Sequence, residues 1–83
     1  MKVSVKCFAG CKDAVGASAV LLDTPAQATV GVALNLLVDA YPAMEPFRSS
    51  LMLAVNREYA DLDTVLQEGD ELACIPPVSG GAR

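Results

Sequence analysis

The sequence predicts an α+β fold in which one main helix packs across a mixed sheet of about five strands. Three observations predict it: alternating apolar and polar residues near both ends, helical periodicity between them, and turn signals between short apolar runs. The chain has 83 residues, of which 53% are hydrophobic, so it can form one core but not two domains. So high an apolar content in a small chain also predicts an exposed apolar surface for a partner.

The first half of the predicted sheet is a hairpin with an irregular connection. Residues 2–9 alternate apolar and polar side chains, which is typical of a half-buried strand. The alternation stops at residues 10–16, where a turn or a single helical turn fits. Residues 17–23 resume a strand, and Pro25 ends it because proline cannot donate to a strand ladder.

The main helix is predicted over residues 30–41. Thr29 precedes it as an N-cap, since its hydroxyl can accept from the free amides of the first turn. Pro42 ends it, because the residue before a proline avoids the helical region. The apolar positions with helical spacing are Val30, Ala33, Leu34, Leu37, Val38 and Tyr41.

The second half of the chain supplies the remaining strands. Residues 43–50 form a connection with room for one short helical turn. The apolar run at 51–55 predicts a central strand covered on both faces. Asn56-Arg57 suits a tight turn into a short strand at 58–60. After a loop and a Gly-Asp turn, residues 71–75 form the last strand.

This order of elements is the plan of the β-grasp, or ubiquitin-like, fold. A single helix crosses between two hairpins, and the first and last strands lie side by side in the centre of the sheet. We expect the folded domain to span residues 1–76 and a flexible C-terminal tail to span residues 77–83.

Charge and hydropathy exclude several classes of function. Ten acidic residues against six basic ones give a net charge of −4, which disfavours nucleic-acid binding. No segment approaches the roughly 18 apolar residues that cross a bilayer. The N-terminal residues lack the apolar block of a signal peptide, so we expect a cytoplasmic protein without membrane contact.

The cysteine and histidine counts argue against a metal site and against acid–base catalysis. Cys7, Cys11 and Cys74 do not have convincing zinc-ligand spacing, and their odd number disfavours a disulfide framework. Cys7 and Cys74 are expected to face the core, and Cys11 is expected to be exposed. The chain has no histidine, the commonest general base. We therefore predict no catalytic residue and no bound metal.

The C-terminal residues predict a thin, extended tail. Pro76 and Pro77 end the sheet and favour an extended exit. Val78-Ser79-Gly80-Gly81 could reach about 13 Å beyond the domain at about 3.3 Å per residue. Glycine lets another backbone or a nucleotide approach closely, so Gly80-Gly81 suits a narrow channel. Taken alone, a Gly-Gly pair is better explained by ordinary terminal flexibility, and it is the surrounding sequence that favours the tail function.

Several motifs together resemble one known family. They are Phe8-Ala9, Lys12-Asp13, Gly16, Val55-Asn56, Gly69-Asp70-Glu71 and the ending Pro76-Pro77-Val78-Ser79-Gly80-Gly81. This pattern is similar to the small subunit of molybdopterin synthase, the MoaD family, within the MoaD/ThiS superfamily of ubiquitin-like sulfur carriers. The likeness extends over nearly the whole chain.

The resemblance implies that the protein is a sulfur carrier and a non-catalytic subunit of a sulfurtransferase. A partner resembling the ubiquitin-activating enzymes would adenylate the carboxylate of Gly81 with ATP, and sulfur would then replace AMP to give a thiocarboxylate. The tail, with Gly80, would enter the large subunit of the synthase. ATP would belong to the activating partner, so no cofactor is expected on this chain.

Candidate partner-binding residues come from the tail and from strand phase. Pro76, Pro77, Val78 and Ser79 precede the glycine pair. Phe8 and Ile75 are out of phase with the core positions of their strands, so each suits either an interface or the core. Ala73 shares the phase of Ile75, and Leu53 is expected in the core.

One departure affects the mechanism: Ala82-Arg83 follow the glycine pair. Gly81 therefore lies inside a peptide bond, and a protease would have to remove the last two residues before activation. Three alternatives stay open at this point. They are a sulfur carrier for thiamine, cysteine or thioacid synthesis, a ubiquitin-like modifier joined to lysines, and an interaction domain without carrier chemistry.

Overall fold

A five-stranded mixed sheet in the order β2–β1–β5–β3–β4 organises residues 1–77, which are the residues described by this computed structural model. Along the chain the elements are β1 (Lys2–Cys7), α1 (Ala9–Val15), β2 (Ala19–Asp23), α2 (Val30–Ala40), a 3₁₀ helix (Pro42–Phe47), β3 (Met52–Val55), β4 (Glu58–Tyr59) and β5 (Glu71–Ile75).

The central pair of the sheet is β1 and β5, which run parallel. β2 pairs antiparallel with β1, while β3 pairs antiparallel with both β5 and β4. The predicted β-grasp plan is confirmed. The prediction of a central, doubly covered strand at 51–55 was wrong: β3 lies second from the edge, and Met52 is 46% exposed. The run was misleading because Met52 and Ala54 are apolar but face away from the core.

One face of the sheet packs against α2 and forms the core. Alternate residues of β1 and β5 point to it, together with the apolar stripe of α2 that the helical spacing predicted. Burying a large aliphatic side chain contributes roughly 1.5–3 kcal/mol. The largest fully buried side chains are Leu37, Met44, Leu66, Leu72, Val3, Val5 and Val30, with Cys11 and Cys74.

Both ends of α2 follow from local chemistry. The Thr29 hydroxyl accepts from the Val32 amide at 3.2 Å, so the predicted N-cap is confirmed. The Val30 and Gly31 amides donate to the carbonyls of Thr64 and Leu62, each at 2.9 Å, so the 61–66 loop satisfies donors that the helix leaves free. No helix within residues 1–77 is long and apolar enough to cross a membrane.

The connections contain more helix than the sequence predicted. Residues 9–15 form α1, and the 3₁₀ helix begins at Pro42, where proline is favoured at a helix start. Gly10 allows these two elements to pack: a Cβ there would lie 2.8 Å from the ring of Phe47. β1 accordingly ends at Cys7, two residues earlier than predicted.

Candidate functional site

The face of the sheet opposite α2, called the open face below, carries exposed apolar side chains. Its residues follow from the strand register, because directly paired residues share a face. Lys6 pairs with Ala73, Ala73 with Ala54, and Ala54 with Tyr59, so these four form a row across the sheet. The Tyr59 side chain is 78% exposed. The open face is therefore available to a partner.

A second row of the open face borders the end of β5, where the chain continues toward the glycine pair. Cys7 of β1 pairs with Cys74 of β5, so Phe8 and Ile75 follow at the same end of the sheet. Met52 pairs with Ile75 on its other side. Phe8 is 45% exposed and Met52 46%. An apolar row thus lies where the tail leaves the domain.

The tail residues fall partly outside the described chain. Pro76 is buried and Pro77 is exposed, directly after β5. The predicted site residues Val78, Ser79, Gly80 and Gly81, and the two residues after them, lie outside residues 1–77.

The two rows enclose a shallow concavity of about 390 Å³. Its floor includes the small side chains of Ala54 and Ala73, and larger side chains form its rim. The lining residues are Lys6, Phe8, Ala54, Arg57, Tyr59, Glu71, Ala73 and Ile75. A depression of this kind fits apolar side chains from a protein partner.

An ion pair lies at the concavity of the open face. Lys6 Nζ lies 3.8 Å from Glu71 Oε1, and both side chains are partly exposed. Such a pair contributes only about 0–1 kcal/mol, because solvent screens it. Either charge can therefore exchange its partner when another protein docks.

Asn56 lies in the turn between β3 and β4 and is hydrogen-bonded to the turn before β5. It lies in the left-handed region, with φ of 52°, and Arg57 follows with φ of 72°, as a tight hairpin turn requires. The Asn56 Nδ2 group donates to Asp70 Oδ1 at 2.9 Å, and its Oδ1 accepts from the Glu71 amide at 3.0 Å. These bonds link the Val55-Asn56 and Gly69-Asp70-Glu71 motifs, and they tie the β3–β4 turn to the start of β5.

The structure places the candidate residues of the sheet as follows. Phe8 is exposed, Ala73 and Ile75 are half-buried on the open face, and Leu53 is buried in the core as expected. Tyr59 and Met52 also belong to this face and were not predicted from the sequence. Residues 51–55 are all apolar, so no local pattern marked Met52, and Tyr59 required the β3–β4 register.

The prediction that Cys11 is exposed was wrong, since all three thiols are free and buried. Burial raises the pKa of Cys7 and of Cys11, and the neighbouring Cys7 raises the pKa of Cys11 further. Burial, together with the neighbouring thiols of Cys7 and Cys11, raises the pKa of Cys74 to about 12. Among residues 1–77, no group of three or more His, Cys, Asp and Glu side chains is arranged to hold a metal ion.

We expect the thiols of the folded protein to resist alkylation at neutral pH and to react once it unfolds, because the thiolate is the reactive form. A raised pKa in the folded state contributes stability that is complete below the ordinary value of 9.0 and is lost as pH rises toward about 12. Mass spectrometry after iodoacetamide treatment, with and without denaturant, measures the first effect. Urea melts at increasing alkaline pH measure the second. Rapid labelling of Cys11 in the native protein would contradict this expectation.

Known proteins are similar to this chain in sequence and in fold over nearly its whole length. The chain is 37% identical to the molybdopterin synthase sulfur carrier subunit of Arabidopsis thaliana, over 98% of this chain and 84% of that protein. It is 39% identical to small archaeal modifier protein 1 of Haloferax volcanii, over 92% of this chain and 97% of that protein. The crystal structure of SAMP1 from Haloferax volcanii matches with a TM-score of 0.89 at 37% identity, covering 98% of this chain and all of that one. The sequence profile of the ThiS family matches residues 5–81, nearly the whole chain and up to the second glycine of the pair, so this chain is a member of the ThiS family.

Proposed function

We propose that this protein is a sulfur carrier that supplies sulfur for molybdopterin biosynthesis as the small subunit of molybdopterin synthase. The observation that carries the proposal is the near-full-length similarity to molybdopterin synthase sulfur carrier subunits, at 37% identity in Arabidopsis thaliana and 31% in Homo sapiens. The Pro-Pro-Val-Ser-Gly-Gly sequence at residues 76–81 supports the same assignment.

The chemistry is assigned to Gly81, with Gly80 as its unhindered neighbour. The Gly81 carboxylate attacks the α-phosphate of ATP on an activating enzyme, releasing pyrophosphate and leaving an acyl adenylate. A sulfur nucleophile then displaces AMP, and the product is a thiocarboxylate that donates its sulfur. ATP is held by the activating enzyme, and this chain contributes no catalytic group and no cofactor.

Activation requires a free carboxylate on Gly81, so hydrolysis of the Gly81–Ala82 bond comes first. We assign that step to a protease that removes Ala82-Arg83. We assign the carrier to the cytoplasm, where ATP is abundant and thiols stay reduced, and the three free thiols support this assignment.

The open face is the proposed docking surface for the large synthase subunit and for the adenylyltransferase. Phe8 and Ile75 lie beside the point where the tail leaves the domain, so a partner seated there is also positioned to receive the tail. Ala73 leaves room for partner side chains, and Tyr59 and Met52 extend the apolar rim.

A second candidate function is protein modification, which the similarity to small archaeal modifier protein 1 favours. The same acyl adenylate would form, and a lysine amine would displace AMP to give an isopeptide bond. Carriers for thiamine, cysteine or thioacid synthesis share the first steps and differ only in the sulfur acceptor.

A reconstitution experiment tests the assignment. Thiocarboxylated protein ending at Gly81 is mixed with the large synthase subunit and the pterin precursor. We expect molybdopterin to form while the thiocarboxylate returns to carboxylate, as followed by intact mass. Sulfur transfer to a thiazole synthase alone would reassign the pathway, and lysine conjugates in cell extracts would favour the modifier.

A further inference from the structure

The outer edge of β2 has free backbone groups. Cys7 donates to the Ser18 carbonyl at 2.9 Å and Thr24 donates to the Met1 carbonyl at 2.8 Å, which fixes which β1–β2 pairs are hydrogen-bonded. In an antiparallel ladder these pairs alternate. The amide and carbonyl groups of Ala19, Leu21 and Asp23 therefore point away from β1, and within residues 1–77 no other strand covers them.

An exposed apolar side chain lies at the centre of this edge. Leu21 is 73% exposed, and Ala19 and Asp23 flank it on the same face of the strand. Unpaired edges with apolar side chains are templates for adding another strand. The opposite edge of the sheet is less suited, because β4 has only two residues, Glu58 and Tyr59.

We propose that two copies of this chain associate through β2, edge to edge and antiparallel, so that the two sheets become continuous. This inference goes beyond the carrier function and does not depend on it. Pairing Leu21 with Leu21 of the second copy also pairs Ala19 with Asp23 in both directions. Each such pair can exchange two hydrogen bonds, giving about six in total.

In this register, the acidic residue of the β2 edge in one copy lies on the side of a lysine of the other copy. Asp23 already lies 2.8 Å from Lys2 Nζ. Across the new interface it faces the small Ala19 of the second copy, behind which lies Lys6, the β1 partner of Ala19. Each Asp23 carboxylate thus has a second lysine one strand behind the interface, which also lies 3.8 Å from Glu71 in its own copy, while the two Leu21 side chains meet at the two-fold axis.

A second copy is favoured over a strand of another protein, because the β2 edge itself supplies both members of each pair: Leu21 with Leu21, and Ala19 with Asp23. The two-fold axis is perpendicular to the sheet, so the two copies are antiparallel and their β5 ends point in opposite directions. Association through β2 therefore leaves the row of Phe8, Ile75 and Met52 uncovered in both copies.

The test is sedimentation velocity of the purified protein over a wide concentration range up to the millimolar level. We expect a reversible monomer–dimer equilibrium for the wild type. We expect only monomer for Leu21→Asp, because the substitution opposes two like charges at the axis. The control is Leu62→Asp, which changes a leucine that is 52% exposed and lies outside β2. This variant should dimerise like the wild type.

Amide hydrogen exchange locates the interface independently. Exchange at Ala19, Leu21 and Asp23 should slow as protein concentration rises, while exchange at Tyr59, on the opposite edge, should not change. A wild type that stays monomeric at millimolar concentration overturns the proposal. So does a Leu21→Asp variant that still dimerises, or concentration-dependent protection at Tyr59 instead of β2.

Discussion

A form of this protein that ends at Gly81 is expected to exchange one oxygen for one sulfur when incubated with ATP, a sulfur donor and the activating enzyme of its source. The form that ends at Arg83 is expected to remain unmodified. The reason is chemical: the proposed adenylation needs a carboxylate on Gly81, and in the longer form Gly81 presents an amide while the free carboxylate belongs to Arg83. Intact mass spectrometry distinguishes the two forms, and the expected difference is complete rather than partial.

Two matched forms sharpen this experiment. A form ending at Ala82 tests whether any free C-terminal carboxylate is accepted, and a form ending at Gly80 tests the length of the tail. We expect neither to gain sulfur. Sulfur on the Arg83 form without loss of residues would contradict the assignment of Gly81, and sulfur on that form only after treatment with host extract would support trimming.

The parts of the fold that could be predicted are those specified locally. Alternation over residues 2–7 gives β1, the helical spacing after Thr29 gives α2, and the Asn56-Arg57 turn gives the second hairpin. In each case the side chains that define the pattern are the ones that bury or cap the element. Helical spacing and the N-cap agree on the start of α2, which is why its first residue was predicted correctly.

Other features depend on contacts between distant segments. Cys11 is buried because α1 forms and Phe47 packs on Gly10, and seven residues are too few to show helical periodicity. The apolar run of β3 gave no sign that one of its faces stays open. These errors have one cause: sequence periodicity reports whether a residue is apolar, and tertiary packing decides which apolar residues are covered.

The candidate site shows the same division. Strand phase was enough to place Phe8 and Ile75 outside the ordinary core pattern, because the core positions of β1 and β5 are local. Tyr59 reaches the open face through the register of β4 on β3 and through the hydrogen bonds of Asn56 with Asp70 and Glu71. Register between strands is not visible in the composition of either one.

The open face itself gives the other large expected effect. We expect Phe8→Asp combined with Tyr59→Asp to weaken binding to the large synthase subunit and to the activating enzyme at least about a hundredfold, since each central aromatic contributes about 2 kcal/mol or more. Phe8 is 45% exposed and Tyr59 78%, and neither belongs to the buried core, so the fold should persist. Isothermal titration calorimetry measures the affinity, and circular dichroism checks the fold.

The control separates this face from the rest of the surface. Leu62→Asp combined with Val65→Asp introduces the same two charges at exposed apolar positions near the start of α2, outside the rows of the open face. Both double variants keep the tail intact, so loss of affinity in the first alone assigns recognition to the open face. Equal losses in the two would show that added negative charge, rather than the open face, governs binding. Full affinity in the first would mean that the tail supplies the recognition by itself, and the apolar row beside Ile75 would then need another occupant.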